Sequence, residues 1–443
     1  MAETIHSNSI IREEFLKPLF EVFNDSKLQR NCNVLSDSLW VEAGIRRCLY
    51  LFGSGRDLLQ HLSDVHDIDL RTSTFFESLK SKRRLAHLDE LSTLMRAKMK
   101  RFMPDPFESH RCLDDFDIYA GDGHFIAAAT HDKAVPRRSA KNRAAVPQHD
   151  TTREAQTKYA TGQLYTLDLR SHGMSHLTVA DQVNRKKEHE MRALKRLPVD
   201  VLRQGAGKGR KVLYIWDRAG IDFQQWYEWK HRSGIYFLSR EKENMNLQVM
   251  GNNPYDTTLS GNAGIIADET MGTNVGVSIR RVTFRDPETG VVYRYLTNLP
   301  DRVPPGIVAL LYKSRWDVEK VFDEFKNKLG ETKSWASSAT AKTNQSRLIC
   351  LTHNLMTLME ETIRRRSGVV NRAELNRREK IRDARGDDLR KKRASGIIPH
   401  IGHAVGRLSQ RTVKFIRWLK NHLDLERDWD EAMAKLSKVY EHS

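Results

Sequence analysis

The sequence predicts an α/β fold: a central sheet covered by helices, interrupted by a β-rich insertion and flanked by helical regions at both ends. Three observations carry this. Residues 211–218 (KVLYIWDR) hold a continuous apolar run, the mark of a strand buried on both faces. Residues 312–329 (YKSRWDVEKVFDEFKNKL) have helical periodicity, with Pro304 and Pro305 ahead and Gly330 behind as start and stop signals. Residues 241–300 are rich in Gly, Asn and Thr and contain short β-like runs at 247–250, 276–279, 282–284 and 291–295.

The totals narrow the class of protein. A chain of 443 residues that is 39% hydrophobic can bury a sizeable core and suits several units. Lys and Arg number 74 against 57 Asp and Glu, a formal charge of +17, which points to a polyanionic partner, nucleic acid by default. Cys32, Cys48, Cys112 and Cys350 are scattered, without metal-ligand spacing, and read as reduced, mostly buried thiols. No apolar run approaches a membrane span and residues 1–20 lack the form of a signal peptide, so a soluble, cytoplasmic protein with no membrane partner is expected.

Residues 10–23, 38–53 and 85–102 show helical periodicity. Between them, residues 71–84 give a Ser/Thr cap, a short amphipathic helix and a cluster of cations. A helix-turn-helix-like DNA reader and an ordinary bundle with a basic surface both fit. Pro104 and Pro106 mark a boundary. Residues 116–126 (FDIYAGDGHFI) read as a strand carrying Asp122 between two glycines. Residues 136–158 are basic and turn-rich, a mobile loop. Strands are predicted over 164–169 and 176–179, then a basic helix over 183–197. Asp217 stands where the apolar run of 211–216 stops, and in open α/β sheets chemistry gathers at strand ends. A helix over 223–232 and a strand over 235–238 follow, then the β-rich stretch, with a hairpin at 286–290. After the 312–329 helix, residues 346–366 form another. Residues 364–393 hold 13 Lys or Arg against 5 Asp or Glu, a basic linker or a solvated helix along a phosphate backbone. Amphipathic helices at 405–423 and 429–440 complete the chain. His172 and His176 flank a turn without a third ligand and read as surface histidines.

On the 312–329 helix, Leu311, Val318, Phe322, Phe325 and Leu329 lie within about 40° of one line and should face a core. Tyr312, Arg315, Glu319 and Lys326 form an adjoining polar stripe. A solvated face with an incidental ion pair would share that spacing. Tyr312-x2-Arg315-x3-Glu319-x6-Lys326, with Arg315-Trp316 and Val318-Glu319 inside it, resembles the Tyr-Arg-Glu-Lys signature of bacterial insertion-sequence DDE transposases. Gly121-Asp122-Gly123 is similar to that family's first aspartate, and Asp217-Arg218-Ala219-Gly220 to its second. His124 departs from the small hydroxyl residue common two places after the first. Taken singly, Asp122 could be a turn former, with Asp117 or Asp132 in its stead, and Asp217 or Asp222 a helix cap.

The resemblance implies an RNase H-like catalytic core spanning 111–240 and 304–360, a β-rich insertion at 241–303, an N-terminal helical, DNA-binding region at 1–105 and a basic C-terminal helical region at 361–443. It implies metal-binding catalytic residues Asp122, Asp217 and Glu319, holding two Mg2+ ions with Mn2+ as substitute, and DNA contacts from Tyr312, Arg315, Lys326 and Trp316. The implied activity is cut-and-paste transposition of an insertion sequence. The implied partners are double-stranded DNA, as terminal inverted repeats and target, and a second copy of the chain in a homodimer. A transposase-derived DNA-binding protein without activity, or a structure-specific nuclease without strand transfer, would share the same features.

Overall fold

The protein is described from a computed structural model covering residues 5, 8–132, 135–136, 156–157, 160–371 and 413–441, less short breaks at 31, 33, 181, 184–185, 188–189, 287–289 and 332. Nine strands form one mixed sheet: β1 (Phe116–Ile126), β2 (Thr161–Asp168), β3 (Met174–Ala180), β4 (Lys211–Ile215), β5 (Ile235–Arg240), β6 (Gln248–Asn252), β7 (Ile265–Gly272), β8 (Ser278–Arg285) and β9 (Val292–Thr297). Their order is β6-β7-β8-β9-β5-β4-β1-β2-β3. β4 lies between β1 and β5 and is parallel to both, while β2 and β3 run antiparallel on the other side of β1. The β3-β2-β1-β4-β5 part, with its covering helices, is the RNase H-like core expected from the sequence.

Alternation along the strands sorts the two faces. Phe116, Ile118, Ala120, Leu213 and Ile215 belong to the larger apolar cluster, and Tyr119, Val212, Tyr214 and Trp216 to the smaller one on the opposite face. The smaller face is covered by α6 (Glu190–Lys195), α7 (Val199–Arg203) and α8 (Phe223–Ser233). Asp222 caps α8 by accepting the Gln225 N–H at 3.0 Å, and Gly234 ends it at φ 63°. Helix α6 starts seven residues later than the helix expected over 183–197; a strand pair, Gln182–Val183 and Lys186–Lys187, precedes it. The reason is compositional: residues 184–190 are all polar, so a helix there has no apolar face to bury before Met191.

The larger face is covered by α9 (Pro305–Ser314), α10 (Trp316–Asn327) and the 29-residue α11 (Ala339–Ser367). Helix α11 is buried along most of its length, as a helix must be when apolar residues surround it. It packs against β3 and against α1 (Ile10–Asn24), α2 (Asp37–Tyr50) and α5 (Lys82–Phe102). Between α2 and α5 come α3 (Gly55–His66), which sequence periodicity missed, and α4 (Thr72–Ser78). The C-terminal helices α12 (Val413–His422) and α13 (Trp429–Glu441) pack on α1. A buried ion chain ties these ends together: Arg12 forks onto Glu42, which Arg46 shares with Asp424.

Other expectations shift in detail. The β-rich stretch extends the core sheet: β9 pairs antiparallel with β5, and β8, β7 and β6 follow. The cations of 71–84 are partly internal, because Arg83 forks onto buried Asp37 and Arg84 donates to the Leu35 carbonyl. His172 and His176 are half-buried, and burial pushes their imidazoles down to about 4 and about 3. Cys48 and Cys350 are buried, Cys112 is half-buried and Cys32 is exposed. The expected 136–158 loop and the basic stretch of 364–393 lie largely outside the described residues. No described helix is long and apolar enough to cross a membrane.

Candidate active site

Two parallel strands place two aspartates side by side. The pairing of β1 with β4 ends at Ala120 opposite Ile215. Asp122 lies two residues beyond Ala120, and Asp217 two beyond Ile215. Equal offsets on neighbouring parallel strands, about 4.8 Å apart, put both at the same end and toward the same face. Asp122 is half-buried and accepts the Gly123 N–H at 2.8 Å; Asp217 accepts the Ala219 N–H at 2.7 Å, capping the short turn Arg218–Gly220. The capping role weighed from sequence is therefore present, and it occupies one oxygen of Asp217. Asp117 is held instead by Arg210 and Lys100, and Asp132 by Lys342.

The helix at the site is broken where a single one was expected. Ser314 ends α9 and Trp316 begins α10, with i→i−3 hydrogen bonds across the joint: Arg315 N–H to Tyr312 O (3.2 Å) and Val318 N–H to Arg315 O (3.1 Å). The predicted apolar stripe is buried throughout, Val318, Phe322, Phe325 and Leu329 against the sheet, each contributing about 1.5–3 kcal/mol. Two buried carboxylates fasten the end of the helix. His353 Nδ1 lies 2.8 Å from Glu324, and His124, stacked on Phe322, lies 3.2 Å from Glu331, which also accepts the Tyr165 hydroxyl at 2.5 Å. His124 thus packs behind the site, and neither Glu324 nor Glu331 was singled out by any motif.

The tight joint turns Arg315 inward, to 7% exposure. Its guanidinium donates to Asp122 Oδ2 at 3.0 Å and to Glu319 Oε1 at 2.9 Å. In this arrangement the Arg315 guanidinium is engaged by these two carboxylates. Tyr312 is half-buried, its ring 4.8 Å from that of Tyr295. Trp316 is 54% exposed and Lys326 is exposed, both along the outer side of α10.

Burial raises the Asp122 pKa above its ordinary value, Arg315 opposes this, and Asp217 adds to it. Burial would depress Arg315, but Asp122, Tyr312 and Glu319 outweigh it and the guanidinium is raised. Residues 106–355, more than half of the chain, match the family model of the transposase DDE domain. The chain belongs to that family. No curated protein matches it significantly. The match begins in the Pro104–Pro106 boundary and ends within α11, so it takes in Asp122, Asp217, the β6–β9 extension and α10. Membership implies a transposase or nuclease acting on DNA with a divalent metal.

The donor set of this transposase domain fits such a cation. Ligand oxygens of Asp122, Asp217 and Glu190 lie within 4.8 Å of one another. Three unit charges so close repel by about 3.5 kcal/mol or more per pair at an effective dielectric constant near 20. Hard carboxylate oxygens are what Mg2+ or Mn2+ takes. Glu190 escaped the sequence reading because it ends a featureless polar run and belongs to no motif. Glu319 joins the group only through Arg315, which bridges it to Asp122.

Proposed function

We propose that the chain is the transposase of a bacterial insertion sequence in the Tyr-Arg-Glu-Lys signature group, and that Asp122, Asp217 and Glu319 are its catalytic carboxylates. What supports this reading above all is the equal offset of Asp122 and Asp217 beyond the paired stretch of the adjacent parallel strands β1 and β4, with Glu319 one arginine away. When bound, two divalent cations, Mg2+ with Mn2+ as substitute, supply charge neutralisation at the attacking and leaving oxygens of a phosphodiester. Hydrolysis at the element end frees a 3′-hydroxyl, which attacks the opposite strand to close a hairpin and expels the 3′-hydroxyl of the flanking DNA. A second water opens the hairpin and regenerates the element's 3′-hydroxyl, which then attacks a phosphodiester of target DNA and displaces a target 3′-hydroxyl. The chain's own residues orient these steps. Asp122 and Asp217 are fixed by backbone N–H groups, and Arg315 aims Glu319 at the strand ends. Lys326 and Trp316 face outward, where a phosphate and a base would meet a point charge and an aromatic plane.

Residues 1–105 are assigned to recognition of the terminal inverted repeats, with the 111–240 and 304–360 segments as the catalytic core, 241–303 as the insertion and 361–443 as a basic helical region. A homodimer would pair two sites with two element ends. A cytoplasmic location on the nucleoid follows from the substrate. The test is incubation of the full chain with labelled end DNA, Mg2+ and a target plasmid. Joined product is expected. Cleavage without joining would indicate a nuclease, and binding alone an inactive derivative. Asp122→Asn, Asp217→Asn and Glu319→Gln should each abolish cleavage while leaving end binding intact. Normal cleavage by any one of them rejects that residue's assignment.

A further inference from the structure

We infer that Glu190 is a ligand of the same divalent-cation site, a carboxylate contributed from the opposite face of the sheet to Glu319. The inference rests on the proposed reading of Asp122 and Asp217 as cation ligands and extends it to a residue outside the signature.

The geometry is built from β1 outward. Asp122 points to the face covered by α10, so its neighbours Gly121 and Gly123 point to the other face. Both positions are crowded by what fills the missing side chains. A Cβ on Gly121 would meet the Trp216 ring at 2.4 Å, and one on Gly123 would meet Glu190 Oε1 at 2.7 Å. The space above Gly123 is therefore a cradle that the Glu190 carboxylate fills. From there Glu190, the first residue of α6, reaches round the strand to within 4.8 Å of ligand oxygens of both Asp122 and Asp217. Three acids brought this close repel one another, and Arg315 contacts only Asp122 and Glu319 among the acids at the site. A hard divalent ion, which accepts several carboxylate oxygens at once, is the partner this set of donors suits.

A ligand and a purely structural side chain have different signatures. Removing a ligand should weaken the stabilisation that the cation adds. Removing a purely structural carboxylate should leave that added stabilisation unchanged. The experiment uses the full chain, Mn2+ as probe, free Mn2+ read by electron paramagnetic resonance, and thermal melting with and without Mn2+. Glu190→Gln is expected to weaken Mn2+ binding at least tenfold and to gain less in melting temperature than wild type on adding Mn2+. Gly123→Ala removes no oxygen but displaces Glu190, and should weaken Mn2+ in the same direction. Wild-type Mn2+ affinity in Glu190→Gln, or a wild-type gain in melting temperature on adding Mn2+, overturns the inference. Asp217→Asn separates the two levels. If it weakens Mn2+ binding while Glu190→Gln does not, only the role of Glu190 falls. If neither does, the cation site itself is misplaced and both readings fall.

Discussion

Arg280 and Arg315 are both buried arginines that reach aspartates on the sheet, at 5% and 7% exposure. Their surroundings differ. Arg280, in the β6–β9 extension, forks onto Asp268 at 2.9 and 2.5 Å, and its remaining nitrogen donates to the carbonyls of Pro300 and Val303. Asp268 is itself 3% exposed and also accepts from Asn253. That group is closed: one cation, one anion, and carbonyls for the remaining donors. Arg315 instead splits its fork between two acids, Asp122 and Glu319, whose side chains are 17% and 38% exposed. A buried arginine marks structure when its acid belongs to it alone. It marks a site when it is outnumbered by carboxylates that remain open to solvent.

The largest expected effect tests the closed pair. Arg280→Met leaves the Asp268 charge buried without its counter-ion and should cost about 3–5 kcal/mol of stability, read as a fall in the denaturation midpoint. Adding Mn2+ should recover none of it. Arg315→Met should cost less, about 1 kcal/mol, because water reaches Glu319 and part of Asp122. Mn2+ should recover that loss by neutralising the same acids. Recovery in both variants, or in neither, would erase the distinction between the two arginines.

A smaller effect follows from the raised Asp122 pKa. Between the ordinary aspartate value and the raised one, the folded chain keeps a proton that the unfolded chain has released. Stability attributable to Asp122 therefore falls as pH rises through that window, by at most about 1.4 kcal/mol per pH unit. Asp122→Asn should remove this slope. Arg315→Met should move the window to higher pH, since Arg315 is the group that opposes the rise. Equilibrium unfolding across the acid range, comparing the three proteins, reads both changes. An unshifted window in Arg315→Met would mean that the guanidinium does not face Asp122 in solution.

Legibility in the sequence followed the range of the interactions. The apolar run of β4 and the alternation of β1 are local, so the residues alone place Asp122 and Asp217 on strands, Asp217 where its run stops. The stripe Val318, Phe322, Phe325 and Leu329 is equally local. The break at Arg315 left no mark, because neither Gly nor Pro occurs within residues 312–316 and the tight joint is set by packing against the sheet. The strands of 241–303 were visible as runs, but their attachment to the edge of β5 is a non-local pairing that composition does not encode. Glu190 was invisible for the same reason: its meaning lies in Gly123, far away along the chain.

The least effect expected concerns Lys326, and it sharpens the contrast between an inward and an outward cation on one helix. Lys326 is two helical turns beyond Glu319, about 10 Å along α10, and exposed. If it meets a phosphate of end DNA, Lys326→Ala should weaken binding modestly and reduce the slope of log K against log salt by about 0.9. Arg315→Met, although it removes the same formal charge, should leave that slope unchanged, because its guanidinium is already neutralised by Asp122 and Glu319. Filter-binding isotherms over a range of salt decide between them. A slope that drops in Arg315→Met as it does in Lys326→Ala would mean that DNA draws Arg315 out of its carboxylate pair, so that end binding itself releases Glu319.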